Sequence, residues 1–134
     1  MNGQAAPSRP APLRVLIVDD DPQVRQITEA LVRAEGHTVT AASDGVEALA
    51  AFETGTFDLV VTDRAMPRMG GDQLAVAIKG RSPTTSIILL TGFGDLMDAG
   101  EKPPGVDAVL GKQATISRLR DAVTRVVPVP AAVT

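Results

Sequence analysis

The chain has 134 residues, 44% of them hydrophobic and 22% charged, with a formal net charge of −3, which is enough for one domain with a real core and too short for two. No cysteine and a single histidine exclude disulfides, thiolate chemistry and multi-histidine metal sites, so any metal must be held by oxygen. Aromatics at 2%, without Trp or Tyr, and no lysine or arginine cluster argue against direct nucleic-acid binding.

No apolar run approaches the ~20 residues of a membrane span. Residues 1–12, rich in Pro, Ala and Ser, have neither the basic nor the apolar region of a secretory signal. They read as a disordered leader to a cytoplasmic protein. The folded domain is expected over 13–127, with a frayed tail at 128–134.

Val15-Leu16-Ile17-Val18 reads as a buried strand that ends in three acids, Asp19, Asp20 and Asp21. Asp21 before Pro22 is a helix start, cap then proline, and Val24, Ile27, Leu31 and Ala34 mark the expected inward face of a helix closed by Gly36. His37 is expected on a surface loop. A second strand is predicted over Thr38 to Ala41, then a turn at Asp44-Gly45 and a helix with Val46, Leu49, Ala50 and Phe52 inward. Leu59-Val60-Val61 is a third strand, doubly buried, leading through Thr62 to Asp63. Pro67 and Gly70-Gly71 impose a loop there, and Gly71 to Lys79 follows as a short helix burying Leu74, Ala75 and Ile78.

Ser86 to Leu90 is a fourth strand ending in Thr91. From Gly92 to Gly105 several glycines and Pro103-Pro104 leave room for one or two helical turns around Asp95 to Glu101. Ala108-Val109-Leu110 is a brief fifth strand, with Lys112 just beyond it. Ile116, Leu119, Val123 and Val126 predict a final amphipathic helix before Pro128.

Alternating strands and helices predict a five-stranded parallel sheet covered on both faces, which gathers its strand C-termini on one edge. That edge receives Asp19, Asp20, Asp63, Thr91 and Lys112. Each residue alone has a bland explanation as a cap or turn former, but five together do not. Two adjacent acids at a strand end repel unless something positive lies there, and an all-oxygen donor set suits Mg²⁺. Lys112 and Thr91 can meet phosphate oxygens with a charge and a hydrogen bond. Asp63, the central carboxylate, can act as a nucleophile and form an acyl phosphate.

The segments Val-Leu-Ile-Val-Asp-Asp-Asp-Pro at 15–22, Asp-Leu-Val-Val-Thr-Asp-Arg-Ala-Met-Pro at 58–67, Leu-Leu-Thr-Gly at 89–92 and Lys112 resemble, in order and spacing, a CheY-like receiver domain of two-component response regulators. The resemblance implies a flavodoxin-like sheet of order 2-1-3-4-5, an order for which a response regulator is itself a standard example. It implies phosphorylation of Asp63 by a histidine kinase or histidine phosphotransfer protein, and a phosphorylated state that alters binding of a downstream protein. It further implies Mg²⁺ held by Asp20, Asp63 and the Ala65 carbonyl, with Asp19 acting through water and Thr91 and Lys112 touching the phosphoryl group. Such a module is a phosphoacceptor rather than an enzyme in the ordinary sense.

The chain departs from that pattern in three places. Gln113 stands where the family has a cis-bonded proline, so a trans bond is expected. Val109 stands where the family has its switch aromatic, and the family's fourth helix is shortened and broken by Pro103-Pro104. Output is therefore expected through ordering or displacement of residues 92–105. The alternatives are a phosphorylation-independent receiver acting as an interaction module, or a receiver cut from a hybrid kinase; nothing resembling an effector domain follows Val127. A haloacid-dehalogenase-like phosphatase would need an aspartate where Ala65 stands.

Overall fold

The apolar runs form strands at the expected places. In the computed structural model, which describes residues 12–92, 102–112 and 116–127, the elements in chain order are β1 Arg14–Val18, α1 Pro22–Ala34, β2 Thr38–Ala42, α2 Gly45–Thr54, β3 Leu59–Asp63, α3 Gly71–Arg81, β4 Ser86–Thr91, β5 Ala108–Gly111 and α4 Ile116–Val126. The sheet is parallel throughout, in the order β2-β1-β3-β4-β5. The expected leader, the turns around 95–101, the Lys112–Gln113 bond and the tail lie outside the described residues.

Successive strand residues point to opposite faces, and the core divides accordingly. Val15, Ile17, Val61, Ile88 and Leu110 pack with Val32 of α1 and Leu119, Ala122 and Val123 of α4. Leu16, Val18, Val60, Ile87 and Leu89 pack on the other face with Ala48 of α2 and Leu74, Ala75 and Ile78 of α3. β3 and β4 are buried at every position, as central strands between two helical layers must be. β2 is an edge strand and buries only Ala42 fully.

Asp21 caps α1, its Oδ1 accepting the Gln23 and Val24 amides at 2.9 and 3.4 Å, with Pro22 at the first helical position. Gly36 takes a left-handed φ of 95° just past the helix end, where glycine escapes the Cβ penalty. The inward faces of the first two helices differ from the periodicity. α1 buries Thr28 and Val32, with Val24 and Leu31 half-buried, while Ala34 is exposed and Ile27 is 61% exposed. Thr28 can face the core because its hydroxyl donates to the Val24 carbonyl at 2.9 Å, which satisfies it within the helix. α2 buries Gly45 and Ala48 and leaves Val46 and Ala50 exposed. The small residues allow close approach to the sheet, and the larger Leu49 and Phe52 flank the contact, half-buried.

His37 is also not on the surface. It is buried, and its Nδ1 accepts the Leu13 amide at 3.0 Å, fastening the chain entering β1 to the one entering β2. Nearby, Arg120 of α4 makes a forked pair with Glu35 at 2.7 and 2.9 Å. His37→Ala should cost about 1–3 kcal/mol, because a buried backbone donor loses its acceptor. Urea denaturation checks this, and an unchanged midpoint would remove His37 from the structural frame.

Candidate functional site

The C-terminal edge of the sheet collects the acids. Asp19 follows β1, Asp63 ends β3, and one carboxylate oxygen from each of Asp19, Asp20 and Asp63 lies within 4.8 Å of the others. Asp63 is 3% exposed and Asp19 only 1%, whereas Asp20 is open to solvent. Asp19 Oδ1 accepts the Asp21 amide at 2.9 Å, and Arg25 donates to the Asp19 carbonyl at 2.8 Å. The other Asp19 carboxylate oxygen, Oδ2, is buried and has no hydrogen-bond partner among the described residues.

Lys112 reaches into this group from the turn after β5, its side chain 28% exposed and its Nζ 3.1 Å from Asp63 Oδ2 and 3.6 Å from Asp19 Oδ2. The first is a charge-assisted hydrogen bond; the second is too long for one and acts through charge alone. The Lys112 amide donates to the Thr91 carbonyl at 3.0 Å, fixing where the side chain starts. Thr91, on the neighbouring strand, is one residue past the partner of Asp63 in the β3–β4 register. Its hydroxyl is buried and lacks a hydrogen-bond partner among the described residues. Ala65 lies two residues past Asp63 on the exposed loop leading to α3. Asp19, Asp20, Asp63, Thr91 and Lys112 thus lie at one edge.

Three carboxylates against one ammonium leave the cluster short of positive charge. Burial pushes the Asp63 carboxyl above its ordinary range; Lys112 pulls it back and Asp19 adds to the rise. Burial likewise raises Asp19, opposed by the Asp21 amide and Lys112 and reinforced by Asp20. For Lys112, burial works downward, but the bond to Asp63 and the charges of Asp19 and Asp63 outweigh it and hold the ammonium protonated. A carboxyl whose folded value is raised costs stability while ionised, and that cost is relieved as pH falls through the raised folded value toward the unfolded one near ~3.9. Asp19→Asn keeps the Oδ1 acceptor and removes one charge. It should therefore raise the melting temperature of the metal-free protein at pH 7, with the gain shrinking as pH falls toward about 4. Calorimetry in a chelating buffer checks it, and a lower melting temperature for the variant at pH 7 would refute it.

Sequence reasoning missed the surroundings of the cluster. The Arg25 contact with the Asp19 backbone, the seating of Gly71 against Asp63 and the pairing of Arg68 with Asp44 have no short-range signature.

The geometry agrees with comparison to known proteins. Residues 15–124 match the model of the response regulator receiver domain. The chain is 41% identical over 96 residues to the gliding motility regulatory protein of Myxococcus xanthus, covering 72% of this chain and 12% of that protein. It is 32% identical over 117 residues to the transcriptional regulatory protein TcrA of Mycobacterium tuberculosis, covering 79% and 46%. It thus spans less than half the length of either relative. Among solved structures, chemotaxis response regulator CheY4 of Vibrio cholerae superposes with a TM-score of 0.77 at 29% identity, covering 87% of this chain and all of that one. Response regulator TrrA of Thermotoga maritima, solved in complex with Mg(2+)-BeF, does so with a TM-score of 0.77 at 30% identity, covering 85% and 98%. Sheet order, acidic edge and the match over 15–124 lead to one conclusion: the chain belongs to the receiver-domain family of two-component response regulators.

Proposed function

We propose that this receiver domain accepts a phosphoryl group on Asp63 in a reaction assisted by Mg²⁺. The observation that carries the reading is the Asp63 carboxylate, buried at the strand end and held by Lys112 at 3.1 Å beside a Thr91 hydroxyl with no partner among the described residues. The donor set fits the cation. Three carboxylate oxygens lie within 4.8 Å of one another, one of the residues contributes a buried oxygen with no donor among the described residues, and Mg²⁺ takes oxygen ligands, favours few carboxylates and meets phosphate readily. Asp20, Asp63 and the Ala65 carbonyl would hold it, with Asp19 acting through water. When bound, it supplies positive charge where phosphoryl oxygens gather.

The residues then divide the work. A carboxylate oxygen of Asp63 forms the new P–O bond as the P–N bond of a phosphohistidine on a kinase or phosphotransfer protein breaks and the imidazole leaves with the bonding pair. Lys112 sets an ammonium against the phosphoryl oxygens, and Thr91 turns its hydroxyl to donate to one of them. Positioning and charge are most of what phosphoryl transfer asks of a protein. The phosphorylated state then changes affinity for a downstream protein. No described helix is long and apolar enough to cross a membrane. Val109 is half-buried against the cluster on the α3 face and, as a stiff β-branched residue, can make only small packing adjustments, so the output route assigned to residues 92–105 remains part of this proposal.

The test is phosphoryl uptake from a histidine kinase or a small acyl phosphate, with and without Mg²⁺. Mg²⁺-dependent label that is lost in alkali supports the reading. Absence of label with every donor, together with unchanged partner binding, favours a phosphorylation-independent interaction module.

A further inference from the structure

The loop from β3 to α3 carries Ala65 and is fastened at two places. Its neck is closed where the Gly71 amide donates to the Arg64 carbonyl at 2.8 Å, while the Arg64 amide itself donates to Leu90 at 2.9 Å. Its tip rests on the N-terminus of α2. There the Arg68 guanidinium pairs with the Asp44 carboxylate, and a Cβ added to Gly45 would fall 2.7 Å from the Met69 Cβ. Only glycine lets Met69 sit so close.

Arg68 has φ 70°, a left-handed conformation shared by no other described non-glycine residue. It is unfavourable for an L-residue with a Cβ and persists where surrounding contacts over-determine it. Locally, the Met69 amide donates to the Pro67 carbonyl at 2.7 Å across Arg68, and the long-range contact comes from Asp44, 24 positions earlier. Asp44 divides its oxygens: Oδ1 accepts the Glu47 amide at 2.8 Å and caps α2, and Oδ2 takes Arg68. With Arg68 64% exposed, solvent screens the pair and its contribution to global stability is small. Orientation of the loop is what the pair and the Gly45 contact have in common.

We propose that Arg68, Asp44 and the seat of Met69 on Gly45 form a clamp that positions the Ala65 carbonyl for the divalent cation. The inference rests on the cation site assigned above. Mg²⁺ demands near-ideal octahedral geometry at about 2.1 Å, so a carbonyl on a loop held only at its neck would bind it less well. Arg68, Asp44 and Met69 are positioning residues and touch neither cation nor phosphoryl group.

Calorimetric titration of the full chain with Mg²⁺ tests the clamp, using Arg68→Gly, Asp44→Asn, the double variant and Arg68→Lys. Arg68→Gly permits the left-handed backbone, and Asp44→Asn keeps the capping oxygen. Each single variant should weaken Mg²⁺ binding about tenfold, as loss of a supporting residue around a metal site does. The double variant should be no worse than either single one, since both remove one interaction, and Arg68→Lys should recover most of the affinity. Charge alone predicts otherwise: removing the Arg68 cation would tighten Mg²⁺ binding, and only Asp44→Asn would weaken it. Tighter or unchanged binding in Arg68→Gly, or additive losses in the double variant, overturns the clamp.

Amide exchange in the metal-free protein supplies a second readout. Residues 65–69 should exchange about an order of magnitude faster in Arg68→Gly than in the unsubstituted chain, and equal rates also overturn the clamp. If the unsubstituted chain binds no Mg²⁺, the cation-site assignment fails, and this proposal with it, even where the exchange result shows the loop to be held.

Discussion

Asp63→Asn should take up no phosphoryl group from any donor under conditions where the unsubstituted chain is labelled. The amide keeps the shape of the carboxylate and its bond to Lys112, which lies 3.1 Å from Oδ2, but it lacks the nucleophilic charge that attacks phosphorus. The fold should persist. Removing one of three clustered acids relieves a site in which burial already pushes the Asp63 carboxyl upward, so the metal-free variant should melt no lower than the unsubstituted chain. The two readouts separate chemistry from folding: label at unsubstituted levels in a folded variant would remove Asp63 from the acceptor role. A cooperative loss of fold would instead make Asp63 a structural residue.

Gly71→Ala should destabilise the protein by about 1–3 kcal/mol and distort the acceptor residue as well. Gly71 opens α3 directly beneath the site, and a Cβ there would stand 2.3 Å from the Asp63 carbonyl oxygen and 2.7 Å from Leu89 Cδ1. The leucine tip can move. The carbonyl cannot move easily, because it belongs to a strand buried at every residue and paired on both sides. Helix propensity works the other way, favouring alanine over glycine by at most ~1 kcal/mol in a helix interior and less at its first turn, so the clash wins. Gly80 near the end of the same helix is the control. An added Cβ there meets nothing within 4 Å, so Gly80→Ala should stabilise by roughly 0.5–1 kcal/mol. Opposite shifts of the urea midpoint are expected, and a raised midpoint for Gly71→Ala would show that the strand end yields.

Local chemistry made much of this protein legible from its residues. The strands were readable because a strand covered on both faces must be apolar at every position, as Val60, Val61, Ile87 and Ile88 are. The start of α1 was readable because Asp21 and Pro22 solve the problem of unpaired helix amides within three residues. The site was readable for a related reason: a parallel sheet brings every strand C-terminus to one edge, so polar residues just past the apolar runs had to meet. The sheet order followed from family resemblance, since periodicity does not rank strands.

Tertiary structure alone decided which stripe of α1 and of α2 faces the core, whereas Leu74, Ala75 and Ile78 of α3 and Leu119 and Val123 of α4 face it as their spacing predicts. Apolar spacing defines a face only to within about one residue, or ~100° of rotation on a 3.6-residue turn, and the choice fell to shape. Thr28 and Ala48 lie inward while Ile27 and Val46 remain exposed, because a self-satisfied hydroxyl and a small side chain fit against the sheet. His37 was buried by partners far along the chain rather than by its neighbours, accepting a bond from Leu13. The Glu35–Arg120 pair joins residues 85 apart, and Arg68 meets Asp44 across 24. Gly71 is required because a Cβ there would meet the Asp63 carbonyl of the preceding strand. Such contacts have no period and no fixed spacing, so only the assembled chain decides them.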